Sequence, residues 1–192
     1  MLLTPGVVAS GSVLMACWLF FQQFALTSLS LEQRAFYVLK AAPISPRQVF
    51  RSKVLSVAVP YALVGTILYI ATWYVFRFSL AWLPYGWVCL LLIGVGLIAF
   101  TTATGFRFAN LEWDDPRRMN PRGAGLYSTV GTFAYGILAA LIALGGFLAA
   151  QLLDSMVLVP LLGLGLLGAL TWLYVWYAGR RAAQAWPKLG TT

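Results

Sequence analysis

The sequence predicts an all-α, polytopic helical membrane protein with about five transmembrane helices, its N-terminus outside and its C-terminus cytoplasmic. Three observations carry that expectation. The 192 residues are 61% hydrophobic and only 9% charged, a balance that no soluble domain of this size needs. The uncharged stretches run 5–29, 54–76, 86–106, 126–150 and 156–179, and each supplies the roughly 20 residues that cross a hydrocarbon core of about 30 Å. Twelve of the thirteen Lys and Arg residues then fall on one side.

The first stretch, 5–29, reads as a helix, because only closed backbone hydrogen bonding survives in lipid and runs this long are not barrel strands. The opening MLLTPGVVAS has no positive n-region and does not look like a cleavable signal peptide. Segment 30–53 follows and is the most patterned part of the chain. Ser30 with Gln33 is a capping-box pattern that predicts a new helix at this point. Leu31, Ala35, Val38 and Leu39 would share its apolar face, with Glu32, Arg34 and Lys40 toward water or headgroups. Pro43 ends that helix, since the residue before a proline is pushed out of the α region. Ser45-Pro46-Arg47-Gln48 repeats the start signal with Pro46 at the first helical position. The pattern then continues through Arg51 and Lys53 into the second stretch, 54–76. The expectation is two short helices at the membrane surface, with a merely interfacial elbow as the plain alternative.

The remaining elements are simpler. Trp73, Tyr74, Trp82, Tyr85 and Trp87 surround the outer loop, and Trp172, Tyr174, Trp176 and Tyr177 sit near the far end of the last stretch; amphipathic rings prefer headgroup depth. Pro60 and Pro160 would kink their helices near one end. Gly94, Gly96, Gly145, Gly146, Gly163, Gly165 and Gly168 allow close backbone approach. Gly165 with Ala169 forms a small-xxx-small pair that fits intrachain packing or a dimer seam.

Charge sets the orientation. Segment 30–53 carries Arg34, Lys40, Arg47, Arg51 and Lys53; segment 107–125 carries Arg107, Arg117, Arg118 and Arg122; the tail carries Arg180, Arg181 and Lys188. Arg77 stands alone opposite. The positive-inside rule makes the three segments cytoplasmic. A single transmembrane domain, 1–192, in a cell membrane (the cytoplasmic membrane in a bacterium) is the resulting organisation. The net charge of +8 then suits anionic headgroups and an acidic protein partner better than nucleic acid.

Leu39-Lys40-Ala41-Ala42-Pro43-Ile44-Ser45-Pro46, with Arg51-Ser52-Lys53 after it, resembles the cytoplasmic signature of ABC-2-type transporter permeases. Trp113-Asp114-Asp115-Pro116-Arg117-Arg118 is similar to a second loop of the same family. The resemblance implies a permease subunit of an exporter driven by a separate cytoplasmic ATPase, which would carry the ATP and magnesium. It implies that Glu32, Arg34, Lys40, Pro43, Ser45, Pro46, Arg47, Arg51 and Lys53 contact that ATPase. It also implies a second membrane unit or a homodimer. The family pattern has six spans with both termini cytoplasmic, so the five counted here match its C-terminal portion. A non-transporting scaffold or assembly subunit, or a truncated remnant, is the alternative reading.

Catalysis is not expected. The chain has no His, and the stretches hold no Asp, Glu, Lys or Arg for ion coupling. Cys17 and Cys89 lie inside stretches and offer neither a disulfide framework nor metal-ligand spacing. No Gly-x-x-x-x-Gly-Lys-Ser/Thr phosphate loop occurs, so the expectation is a chain without enzymatic activity and without a cofactor of its own. Gln22, Gln23, Thr101, Thr102 and Thr104 suit a lipid-like or amphipathic cargo better than an ion.

Overall fold

The computed structural model describes residues 5–33, 35–77, 79–113, 122–153 and 157–189. All the regular structure among them is helical: α1 (Pro5–Thr27), α2 (Ala35–Ala41), α3 (Pro46–Phe76), α4 (Leu83–Arg107), α5 (Arg122–Leu152) and α6 (Leu158–Ala185). Single 3-10 turns stand at Ser30–Glu32, Leu80–Trp82 and Trp186–Lys188. Among the described residues, four segments are long and apolar enough to cross a membrane: Pro46–Phe76, Leu80–Arg107, Gly123–Leu152 and Leu158–Lys188. The first expected span is not among these four; α1 is a 23-residue uncharged helix that contains Gln22 and Gln23.

At about 1.5 Å per residue, the 31 residues of α3 overshoot a core of about 30 Å. That length leaves its basic first turns, with Arg47, Arg51 and Lys53, in excess of what a crossing needs. The second of the two short helices expected from sequence is this overhang, continuous with the crossing helix. Ser45 caps it: the Ser45 hydroxyl accepts from Gln48 N at 3.3 Å, and the Gln48 side chain accepts from Ser45 N at 2.9 Å, with Pro46 at the first position. Pro160 does not kink a span. It lies in the first turn of α6, where a missing N–H goes unnoticed.

α4 is the central helix and touches α1, α3, α5 and α6. Two apolar clusters meet along it. One gathers Leu29, Phe36, Phe50, Phe106, Ala182 and Trp186 with the inner faces of α1 and α3; the other gathers Trp18, Ile93, Leu97, Tyr135 and Leu167. Lipid gives helices no hydrophobic drive to associate, so close approach has to supply the attraction. Glycines on α4 allow it. A Cβ at Gly94 would overlap the Tyr61 ring, one at Gly96 the Tyr135 ring, and one at Gly105 the Leu26 carbonyl of α1. Gly146 and Gly163 meet backbone to backbone between α5 and α6. Gly165 does not share this role: nothing lies within 4 Å of where its Cβ would be, and Ala169 is exposed, so the pair faces outward.

Several aromatic residues assigned to an interfacial belt pack instead. Tyr85 donates to the Ala143 carbonyl at 2.7 Å, and the Trp82 ring meets Phe147 edge-on at 4.7 Å. Tyr74 and Trp172 remain exposed. Cys17 and Cys89 are buried and free.

Candidate functional site

The polar segments that charge counting put on one side come together at one end of the bundle. Lys40 Nζ, on α2, donates to the Leu189 carbonyl beyond α6 at 2.6 Å. Gln33 Nε2 donates to the Trp113 carbonyl at 3.2 Å, and Trp113 Nε1 returns a bond to the Ser30 carbonyl at 2.8 Å. Beneath them lies an aromatic floor. Phe36 meets Trp186 at 5.1 Å, Trp186 meets Phe106 at 6.2 Å, and Phe106 meets Phe50 at 5.9 Å. Phe36 is fully buried, so this floor binds the short α2 to α3, α4 and the tail. Arg77 sits at the far end of α3 as its left-handed cap.

The start of segment 30–53 differs from its sequence pattern. Ser30 and Gln33 do not form a capping box, and a 3-10 turn replaces the expected helix start. Gln33 has φ 41°, a left-handed conformation that costs a non-glycine residue about 1–3 kcal/mol. The Trp113 exchange, through the Gln33 side-chain amide and the Ser30 carbonyl, holds the segment there, a long-range contact that local pattern does not contain. The turn also resets the helical face. Phe36 is buried while Leu31 and Val38 are exposed, so the apolar face expected from Leu31, Ala35, Val38 and Leu39 is not the one that packs; Leu39 alone of the four lies against the core.

The candidate partner-contact residues divide accordingly. Glu32 and Lys53 form an ion pair with each other, both partly buried. Lys40 is committed to the tail carbonyl. Ser45 and Pro46 build the cap. Pro43, Arg47 and Arg51 are exposed on the outer surface. Trp113 is a clamp on Ser30 and Gln33. Arg34, Asp114, Asp115, Pro116, Arg117 and Arg118 lie outside the described residues.

A second group at this end was not singled out from sequence. Arg107, Arg181 and Lys188 line a groove of about 450 Å³ with Thr104, Tyr127 and Gln184. The Arg107 guanidinium lies 5.0 Å from the Tyr127 ring centre. Arg181 Nε donates to Tyr177 Oη at 2.8 Å, and Arg180 stacks 3.7 Å over Trp176. Such cation–ring contacts hold the cations against the helix surface. The pairs Trp176–Arg180 and Tyr177–Arg181 are four apart, neighbours on one helix face, which was a readable signal. Thr101 and Thr104 donate to the carbonyls of Leu97 and Phe100 one turn back, and Thr104 also lines this groove.

A family model described as "Putative ATP-binding cassette" matches residues 7–168. Neither a curated protein nor a solved structure matches the chain. The family match overturns the expected membership of the ABC-2-type permeases, and with it the reading of the chain as a permease subunit. It also overturns the expectation that nucleotide binding belongs to a partner chain alone. That expectation rested on the missing phosphate loop, and its absence removes one way of holding phosphates. Cationic side chains and ring faces are others.

Proposed function

The chain belongs to this ATP-binding cassette family, and from that premise we propose that it is a membrane-embedded component of an ABC transporter whose basic end is the docking face for the other components. An ABC-type ATPase subunit is the first of these, and a second membrane unit lies beside it in the bilayer. The observation that carries the reading is the convergence of segment 30–53, residues 107–113 and the tail on one end through the Lys40, Gln33 and Trp113 hydrogen bonds. Positive charge concentrated at one end supports a cytoplasmic assignment for it, with α1 beginning outside. Arg47 and Arg51 project from that end on the capped start of a single 31-residue helix.

Three measurements test this. Affinity purification from native membranes should recover an ABC-type ATPase subunit with the natural chain and lose it with R47E/R51E; equal recovery with the double variant would remove Arg47 and Arg51 from the docking face. Titration of the purified chain with a fluorescent ATP analogue reads nucleotide contact in this chain directly. For orientation, an S79C variant should label from outside the cell and R47C only after permeabilisation, since Cys17 and Cys89 are buried.

A further inference from the structure

We propose that the groove between α4, α5 and α6 at the basic end binds one anionic phospholipid. Its phosphate would lie at Arg107, Arg181 and Lys188, with an acyl chain below them in an aromatic cavity. The inference rests on the membrane reading alone and not on the docking of other subunits. Two adjoining spaces carry it. The cationic groove is lined by those three side chains and by no acidic one among the described residues. Phe100 and Tyr127, which form part of its wall, also line a second cavity of about 400 Å³. That cavity runs toward Ala134, Leu138 and Leu170, away from the polar end and into the span depth.

The shared wall is a row of rings. Tyr127 stacks on Phe100 at 5.9 Å, Phe100 on Tyr174 at 5.2 Å, and Tyr174 on Tyr135 at 4.4 Å. Interplanar angles of 22°, 23° and 16° make it nearly continuous. The two hydroxyls deeper in the row are turned to protein partners: Tyr174 donates to the Gly131 carbonyl at 2.7 Å, and Tyr135 bonds Thr171 at 2.8 Å. What remains facing the cavity is apolar surface suited to an acyl chain. At the mouth, Arg181 spends its Nε on Tyr177, which leaves the planar fork of terminal nitrogens for an anion. Arg107 ends α4, and Lys188 follows α6, so the charges sit at helix ends, at the depth of headgroups. A free phosphate would satisfy the mouth but leave the ring-lined cavity without an occupant of its own polarity.

The test is native mass spectrometry of the detergent-purified chain equilibrated with dioleoyl phosphatidylglycerol, and separately with dioleoyl phosphatidylcholine. The expected result is one phosphatidylglycerol per chain, preferred over phosphatidylcholine, with retention falling about fivefold for each of R107Q, R181Q and K188Q. Ala134→Phe, which fills the apolar cavity without touching the cations, should lower retention as well. R47Q/R51Q, a larger loss of charge outside the groove, should leave it unchanged. Retention that is equal in the groove variants and R47Q/R51Q would overturn the proposal in favour of general surface charge. Competition by glycerol phosphate or ATP at the concentration of the lipid, with Ala134→Phe without effect, would overturn it in favour of a soluble phosphate ligand.

Discussion

The most apolar 18-residue stretches of the segments containing α4 and α5 have the same mean hydropathy, 2.1, yet 56% of one is buried within the protein and 17% of the other. Both are uncharged over the crossing, so composition gives each the same reason to enter a bilayer. Position inside the bundle is a separate matter, because lipid tails are as apolar as the side chains of another helix. What draws α4 inward is the fit of rings and backbone to its glycines: Tyr61 over Gly94, Tyr135 over Gly96, and the α1 backbone at Gly105. On α5, Gly131 and Gly146 meet the Phe100 and Tyr85 side chains, but Gly123, Gly125, Gly136 and Gly145 have nothing within 4 Å of a Cβ position, and Leu126, Val130, Ile137 and Leu141 point outward. The helix with more glycines is the more exposed one; what differs is that all four on α4 face a neighbour and only two of six on α5 do.

That contrast breaks most readily at Gly105. Gly105→Ala places a methyl against the Leu26 carbonyl, and backbone cannot swing aside as a side chain can. A loss of about 3 kcal/mol is expected, read as lowered thermal stability of the detergent-solubilised protein. Gly94→Ala should cost less, about 2 kcal/mol, since the Tyr61 ring it meets can shift. That shift would break the Tyr61 hydroxyl bond to the Leu90 carbonyl, 3.1 Å long, so protection of the α4 amides near Leu90 should fall in hydrogen exchange. Tyr135→Phe sharpens the comparison without changing shape. It removes the hydroxyl between Thr171 and the Leu92 carbonyl, at about 1 kcal/mol, again by thermal unfolding. Gly136→Ala on α5 is the smallest effect: no loss, and a gain of a few tenths of a kcal/mol from helix propensity. Equal losses from Gly105→Ala and Gly136→Ala would sink the explanation of why α4 is central.

The two ends of segment 30–53 show how legible the candidate site was. Ser45, Pro46 and Gln48 form the cap that their spacing announces, because every partner lies within three residues. Ser30 and Gln33 carry the same kind of pattern and do something else: Trp113, eighty residues on, bonds the Gln33 side-chain amide and the Ser30 carbonyl. Glu32 and Lys40 read as solvent-facing charges for the same reason; their partners, Lys53 and the Leu189 carbonyl, come from other elements. The groove of Arg107, Arg181 and Lys188 was visible only in part, through the four-residue spacing of Tyr177 and Arg181.

From its sequence alone the chain could be known as helical, apolar over several membrane-length stretches, and basic on one side, because these are sums over local composition and period. The gathering of the basic segments at one end agrees with that count. Which helix lies at the centre, which glycines bear contacts, which face of α2 is buried and which three cations share a groove were decided only in three dimensions. In a bilayer every apolar face is equally content with lipid, so hydropathy cannot rank helices by depth in the bundle. Shape complementarity between residues distant in the chain does the ranking.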